Sequence, residues 1–263
     1  MTETTTERRE CARHGAFEAK IFRPNIPGLN PIVSNCPECV REQQAQAEAE
    51  VLNRARRERA GTVAALNREC GVPSRFASAD FTSDDSETAQ TRRAIKAARK
   101  FADEFPDSAS DGRGLVFVGP PGTGKTHIAA AIARTVIDKH LATARYTTAA
   151  DMARTMRQTF RRDSERSEEE VFEWFATVDL LIVDEIGTGS SQHDRTLLFE
   201  VIDARYAESL PSIFISNLSV EELEQYLGER AFDRLAETCN FLPMTGNSRR
   251  RSRTRREPQE SKA

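Results

Sequence analysis

The octet Gly119-Pro120-Pro121-Gly122-Thr123-Gly124-Lys125-Thr126 constrains this chain more than any other feature. It fits the pattern G-x-x-x-x-G-K-[ST] and stands between an apolar run, Leu115 to Val118, and a helix-forming stretch around His127 to Val136. A strand, a glycine-rich turn and a helix in that order point to an α/β domain. The glycines let backbone N–H groups turn toward an anion at a helix N-terminus, so the octet predicts a cradle for the phosphates of ATP. Lys125 is placed to neutralise the β- and γ-phosphates, and the Thr126 hydroxyl to ligate Mg2+. His127 follows as a candidate nucleotide neighbour, with packing as its other role. An ordinary glycine-rich turn is the plain alternative for the octet, and the acids downstream weigh against it.

Those acids end a second apolar run. Leu180-Leu181-Ile182-Val183 reads as a buried strand, and Asp184 and Glu185 follow it at the edge where open α/β sheets bind ligands. Asp184 is the expected magnesium carboxylate, and Glu185 the group that polarises the attacking water. The strand Ile213 to Ser216 ends in Asn217, whose amide either contacts the γ-phosphate region or caps the helix Val220 to Leu227. Arg230 and Arg234 share one face of a later predicted helix, as a solvated pair or as an arginine finger.

Apolar segments recur at Leu115 to Val118, Ala144 to Thr147, Leu180 to Val183, Ile213 to Ser216 and Phe241 to Met244, mostly with helical stretches between them. That alternation predicts a five-stranded parallel sheet. Upstream, Arg41 to Arg68 is rich in Ala, Glu, Gln and Arg with a single glycine, which predicts a long solvated helix acting as a connector. A second helix from about Glu87 to Phe105 shows one apolar face. At the other end, Arg249, Arg250, Arg251, Arg253, Arg255 and Arg256 have no apolar partners and predict a disordered basic tail. The formal net charge of -3 excludes a globally basic nucleic-acid binder, so any such surface is local. No apolar run approaches the roughly 18 residues of a membrane span, and the start is polar, so the chain is expected to be cytoplasmic with no membrane partner.

In that compartment five cysteines argue for thiols or metal ligands rather than disulfides. Cys11-x2-His14 and Cys36-x2-Cys39 form two chelating pairs, and three thiolates with one imidazole complete a closed tetrahedral zinc shell. With no open position such a zinc folds a small module rather than activating water. Cys70 and Cys239 read as ordinary buried thiols.

Taken in order, the octet, Leu180 to Gly187, Ser216-Asn217, Leu227 to Leu235 and Gly246-Asn247-Ser248-Arg249-Arg250 resemble the DnaC-type helicase loaders and the related IstB-type transposition ATPases, both of the AAA+ class. The similarity runs from about residue 70 to 250 and includes Gly71 to Phe76. It implies an AAA+ domain at 73–250, after a zinc-binding recognition module at 1–45 and a helical linker at 46–72, and before the tail at 251–263. It implies that Asn217 is sensor 1, that Arg234 is the finger reaching a neighbouring subunit's nucleotide, and that Arg250 is a sensor 2 candidate, with Arg230 in support. A homo-oligomer in the nucleotide-bound state follows from the same resemblance. In that family the region of Asp151 to Arg162 contributes to a path for single-stranded DNA. Phe160 beside Arg161 and Arg162 suits such a path, with core packing as the alternative for the ring. The expected function is ATP-dependent loading of a hexameric replicative helicase onto single-stranded DNA. The rivals are an IstB-type transposition helper and a non-hydrolytic zinc adaptor.

Overall fold

The structure is a computed structural model, and it describes residues 3–24, 29–82, 88–161, 164–188 and 191–248. The basic tail, Arg162, Arg249 and Arg250 lie outside the described residues. The chain divides into two units, Met1–Gly61 and Thr62–Ala263.

In the first unit, strands β1 (Glu3–Cys11) and β2 (Gly15–Arg23) form an antiparallel hairpin, and β3 (Ile32–Val33) adds to β2. Cys11 faces Gly15 across the turn, where Gly15 takes a left-handed φ of 74°. Only Ala19 and Ile21 of this small sheet, with the thiol-bearing Cys36, are buried among the described residues. A core of that size needs further support, as small modules generally do. Helix α1 (Pro37–Cys70) begins four residues earlier than its composition predicts, with proline at its first position. It is largely exposed along its length, and its last residues enter the second unit, where Val63, Leu66 and Cys70 join an apolar cluster.

The second unit is an α/β sandwich. Strands β4 (Gly114–Val118), β5 (Ala144–Thr148), β6 (Leu180–Ile186), β7 (Ser212–Ser216) and β8 (Cys239–Pro243) form one sheet in the order β5-β6-β7-β4-β8, with every neighbouring pair parallel. Alternation along each strand divides the apolar side chains between two cores. Leu115, Phe117, Leu180, Ile182, Ile213 and Ile215 pack with α2 (Ala89–Asp103) and α4 (Lys125–His140). Val116, Leu181, Val183 and Phe214 pack with α5 (Ala149–Thr159), α6 (Glu168–Thr177) and α7 (Gln192–Ala207), and with α8 (Val220–Leu227) and α9 (Glu229–Thr238) further along. Strands buried on both faces explain why these segments read as continuous apolar runs. The predicted helix Glu87 to Phe105 is in fact α2 followed by a separate short α3 (Phe105–Ser110) opened by Pro106.

Two arginines hold the helices to the sheet. Arg205 is fully buried and donates to the carbonyls of Phe175, Ala176 and Val178 at the end of α6, to Pro211 O and to Ser212 Oγ. Burial pulls its pKa down to about 9, and the carbonyl ring compensates a charge that has no ion pair among the described residues. Arg145 on the edge strand β5 donates to Glu69 O, and its Cζ lies 3.4 Å from the ring centroid of Trp174 on α6. Trp174 is the only tryptophan of the chain.

Candidate functional site

Parallel strands bring their carboxyl ends to one edge, and β6, β7 and β4 are neighbours there. The phosphate loop after β4, Asp184 and Glu185 on β6, and Asn217 after β7 therefore meet at a common rim, as ligand sites of open α/β sheets do. In the loop Gly119, Gly122 and Gly124 all take positive φ, 127°, 88° and 103°. Two of them also lie under neighbouring chain. A Cβ on Gly119 would stand 2.2 Å from Met244 O, and one on Gly122 2.2 Å from Ser248 Oγ. The segment after β8 thus passes against the loop, tied down where Thr91 Oγ1 donates to Thr245 O at 2.7 Å. Pro120 O accepts from the Thr123 hydroxyl at 3.1 Å. Pro121 is exposed at the loop's tip.

Lys125 and Thr126 open α4, where helix N–H groups and the dipole favour an anion. The Lys125 ammonium donates to Gly119 O and Pro120 O at 2.5 and 2.9 Å, folded along the loop it belongs to. Thr126 Oγ1 donates to Asp184 Oδ2 at 2.8 Å, so the two residues expected to hold magnesium are in contact. Asp184 is buried, and its Oδ1 accepts from Glu185 N at 2.6 Å. The chain departs from regular pairing between Val183 and Ile186, and Glu185 takes a φ of 58°. That left-handed backbone, costly for a residue with a Cβ, swings the Glu185 side chain out of the sheet into the open while Asp184 stays inside.

One contact in this group is invisible in the sequence. Tyr146 on β5 donates its hydroxyl to Asp184 Oδ2 at 2.7 Å. Burial first, and the Asp184 charge second, push the Tyr146 pKa well up, so the phenol keeps its proton. No motif marks it, because it reaches the site through the β5–β6 register, in which Thr148 stands opposite Asp184.

Asn217 is exposed at the rim and is not the cap of α8. That position belongs to Ser219, which accepts from Glu222 N while the Glu222 carboxylate accepts from Ser219 N. His127 is half-buried and donates through Nε2 to Asp80 O at 3.0 Å, with its ring edge-on to Phe76, so packing against the upstream segment is the role it plays in this structure. Arg234 is not at its own chain's phosphate loop. It pairs with Asp203 on α7 and lies over the Phe199 and Tyr206 rings, with Arg230 also over Phe199. Phe160 is 61% exposed just beyond α5, which rules out core packing for its ring.

In the first unit Cys11, His14, Cys36 and Cys39 converge, with their ligand atoms all within 4.8 Å of one another. Nδ1 of His14 lies 3.8, 3.7 and 3.3 Å from the sulfurs of Cys11, Cys36 and Cys39. A tetrahedral zinc with bonds of about 2.0–2.3 Å requires ligand–ligand edges of roughly 3.5–3.8 Å, so the donor set fits. The Cys11 thiol is pulled down to about 6, chiefly by backbone N–H groups of Arg13 and His14. The Cys39 thiol, hydrogen-bonded to Cys11, is instead pushed up to about 11. Behind the imidazole, Nε2 meets Glu42 Oε1 at 3.1 Å, and Arg13 meets the other Glu42 oxygen at 3.0 Å. A carboxylate on the far nitrogen of a ligating histidine is the usual outer partner of zinc sites.

Comparison with known proteins fits this arrangement. The profile of the family described as IstB-like ATP binding protein matches residues 47–257. The chain belongs to that family. Among curated proteins it is 34% identical over 143 residues to the replicative helicase loader DnaC of Escherichia coli K12, covering 54% of this chain and 56% of that protein. It is 30% identical over 201 residues to the Escherichia coli K12 protein YdaV, described as uncharacterized, covering 76% of this chain and 73% of that one. The chain thus spans little more than half the length of the DnaC it matches. Among solved structures, the DnaC helicase loader superposes with a TM-score of 0.60 at 22% identity, over 66% of this chain and all of that one. The replication initiator DnaA bound to AMPPCP and single-stranded DNA does so at 0.55 and 17%, over 67% of this chain and 52% of that one. Both place the second unit in the AAA+ fold. No described helix is long and apolar enough to cross a membrane.

Proposed function

We propose that this protein is an ATP-driven loader of a hexameric replicative helicase onto single-stranded DNA. The observation that carries the ATPase half is the grouping of Lys125, Thr126, Asp184 and Glu185 at one rim, with Glu185 held open by its left-handed backbone. Loop N–H groups and Lys125 bind the phosphates, and Thr126 with Asp184 holds Mg2+, which neutralises charge on the phosphate oxygens when bound. Glu185 takes the proton of the attacking water, and Asn217 orients that water from the neighbouring strand. Arg234, on a face remote from its own loop, serves the nucleotide of the next copy in an assembled arc, once released from Asp203. Arg250 is the matching sensor 2 candidate.

The loader half is supported by the similarity to DnaC and by a division of chemistry. Every nucleotide-handling residue lies in the second unit, whereas the first offers a rigid zinc-braced surface suited to recognition. Exposed Phe160 with Arg161 is a stacking and phosphate contact for the DNA. An IstB-type transposition helper is the second reading, favoured by the family profile itself.

The deciding experiment compares the full chain with one lacking residues 1–60. With a purified bacterial replicative helicase, the full chain should co-elute and load it onto closed circular single strands only with ATP. The truncated chain should still bind ATP but neither co-elute nor load. Normal loading by the truncated chain overturns the docking role of the zinc module. Failure of the full chain to bind any replicative helicase, together with capture of a transposase, favours the second reading.

A further inference from the structure

The hydroxyl that reaches the metal carboxylate from the neighbouring strand is a tyrosine's, and its position is specific. Tyr146 sits on the strand beside Asp184, with its ring in the apolar cluster of α2 and α4 and 8% of its surface exposed. Its hydroxyl reaches the same Asp184 oxygen, Oδ2, that accepts from Thr126, at 2.7 and 2.8 Å. The other oxygen, Oδ1, is taken by the Glu185 amide. Together the three donors hold a carboxylate that otherwise rotates broadly about its last torsion. Thr126 opens α4 directly after the phosphate loop, and Glu185 stands where β6 leaves regular pairing. Tyr146 is anchored on a strand and packed in the core, so it is the rigid member of the three.

A buried phenol needs some partner, and any acceptor would satisfy that need. What sets this one apart is that its partner is the magnesium carboxylate rather than a backbone carbonyl. We propose that Tyr146 is a positioning residue for the magnesium–nucleotide complex, its hydroxyl holding Asp184 in the rotamer in which that carboxylate and the Thr126 oxygen face the phosphate loop together. This inference rests on the ATPase reading above. It separates two quantities. Phosphates bind through the loop N–H groups and Lys125, which Tyr146 does not touch. The response of that binding to Mg2+ passes through Asp184, which it does.

The test is nucleotide affinity of the full chain, measured with a fluorescent ATP analogue across a Mg2+ titration and again in excess chelator. Tyr146→Phe keeps the ring and removes only the donor. Loss of an outer partner of a metal ligand weakens metal affinity by about 10- to 100-fold. The Mg2+ midpoint should therefore rise by at least about tenfold in Tyr146→Phe, with affinity in chelator unchanged. Asp184→Asn should lose most of the Mg2+ response, and adding Tyr146→Phe to it should change nothing more. An unchanged midpoint in Tyr146→Phe, or an equal loss with and without metal, overturns the role and leaves the tyrosine a packing residue. If the parental chain binds nucleotide with no Mg2+ dependence, the ATPase reading falls and this inference with it. A normal Mg2+ response in the parent with an identical one in Tyr146→Phe removes the inference alone.

Discussion

Glu185 and Lys125 show how single residues of one rim carry separable duties. Lys125 lies along the loop with its ammonium on Gly119 O and Pro120 O, ready to exchange those carbonyls for phosphate oxygens. Glu185 projects from a left-handed backbone and makes no part of the phosphate cradle. Lys125→Ala should therefore lose ATP binding, whereas Glu185→Gln should bind ATP at near-parental affinity and hydrolyse it at least about a hundredfold more slowly, the size expected for removing a general base. Equilibrium binding and phosphate release, measured on both variants, check the split. Tight binding by Lys125→Ala, or parental turnover by Glu185→Gln, contradicts it.

At the scale of elements, three helices start with the same device. Ser167 on α6, Ser191 on α7 and Ser219 on α8 each accept from the N–H three residues on, and Glu170, Asp194 and Glu222 return a bond to the cap's own N–H. Each pair satisfies two donors that a helix start leaves unpaired. Replacing any one serine by alanine should lower stability by about 1 kcal/mol. The three caps are on separate helices, so the triple variant should lose close to the sum. Urea midpoints of the parent, the three single variants and the triple variant test this, and a triple variant as stable as the parent would exclude it.

These elements also show what the sequence can and cannot disclose. The three central strands β4, β6 and β7 were readable because each is buried on both faces and so reads as an apolar run. Strand β1, Glu3–Cys11, was not, since its residues are polar or charged and Thr5 to Glu10 are exposed. Its register is set by a hairpin turn and by the Cys/His cluster rather than by an apolar face. The same contrast holds at the sites. Residues joined by short spacing, such as the octet, the Asp184-Glu185 pair and the two chelating pairs, were legible. Tyr146, Glu42 and Arg205 were not, because each acquires its partner only when distant segments pack. The cap of α8 went to Ser219 rather than Asn217 because the helix begins only at Val220, four residues past the strand's last residue Ser216, which leaves Asn217 exposed at the rim.

For the whole molecule, the two units differ in what holds them together. The second has two extensive apolar cores, one on each face of its sheet. The first has a hairpin and a helix start gathered round three sulfurs and one imidazole. Metal should therefore matter to one unit alone. The parental chain should hold one zinc, and a Cys36→Ser, Cys39→Ser variant none, by elemental analysis after gel filtration. Chelation should unfold the first unit, seen as loss of hairpin protection in hydrogen exchange, while ATP binding by the second persists. Unchanged zinc content in the double variant rejects the four-residue site. Trp174 provides a further handle, for it is the chain's sole indole and lies face to face with the Arg145 guanidinium, one residue from Tyr146. Emission excited at the red edge, where tyrosine no longer absorbs, comes from that one spot, so the unlabelled protein carries its own optical reporter of how the edge strand is seated.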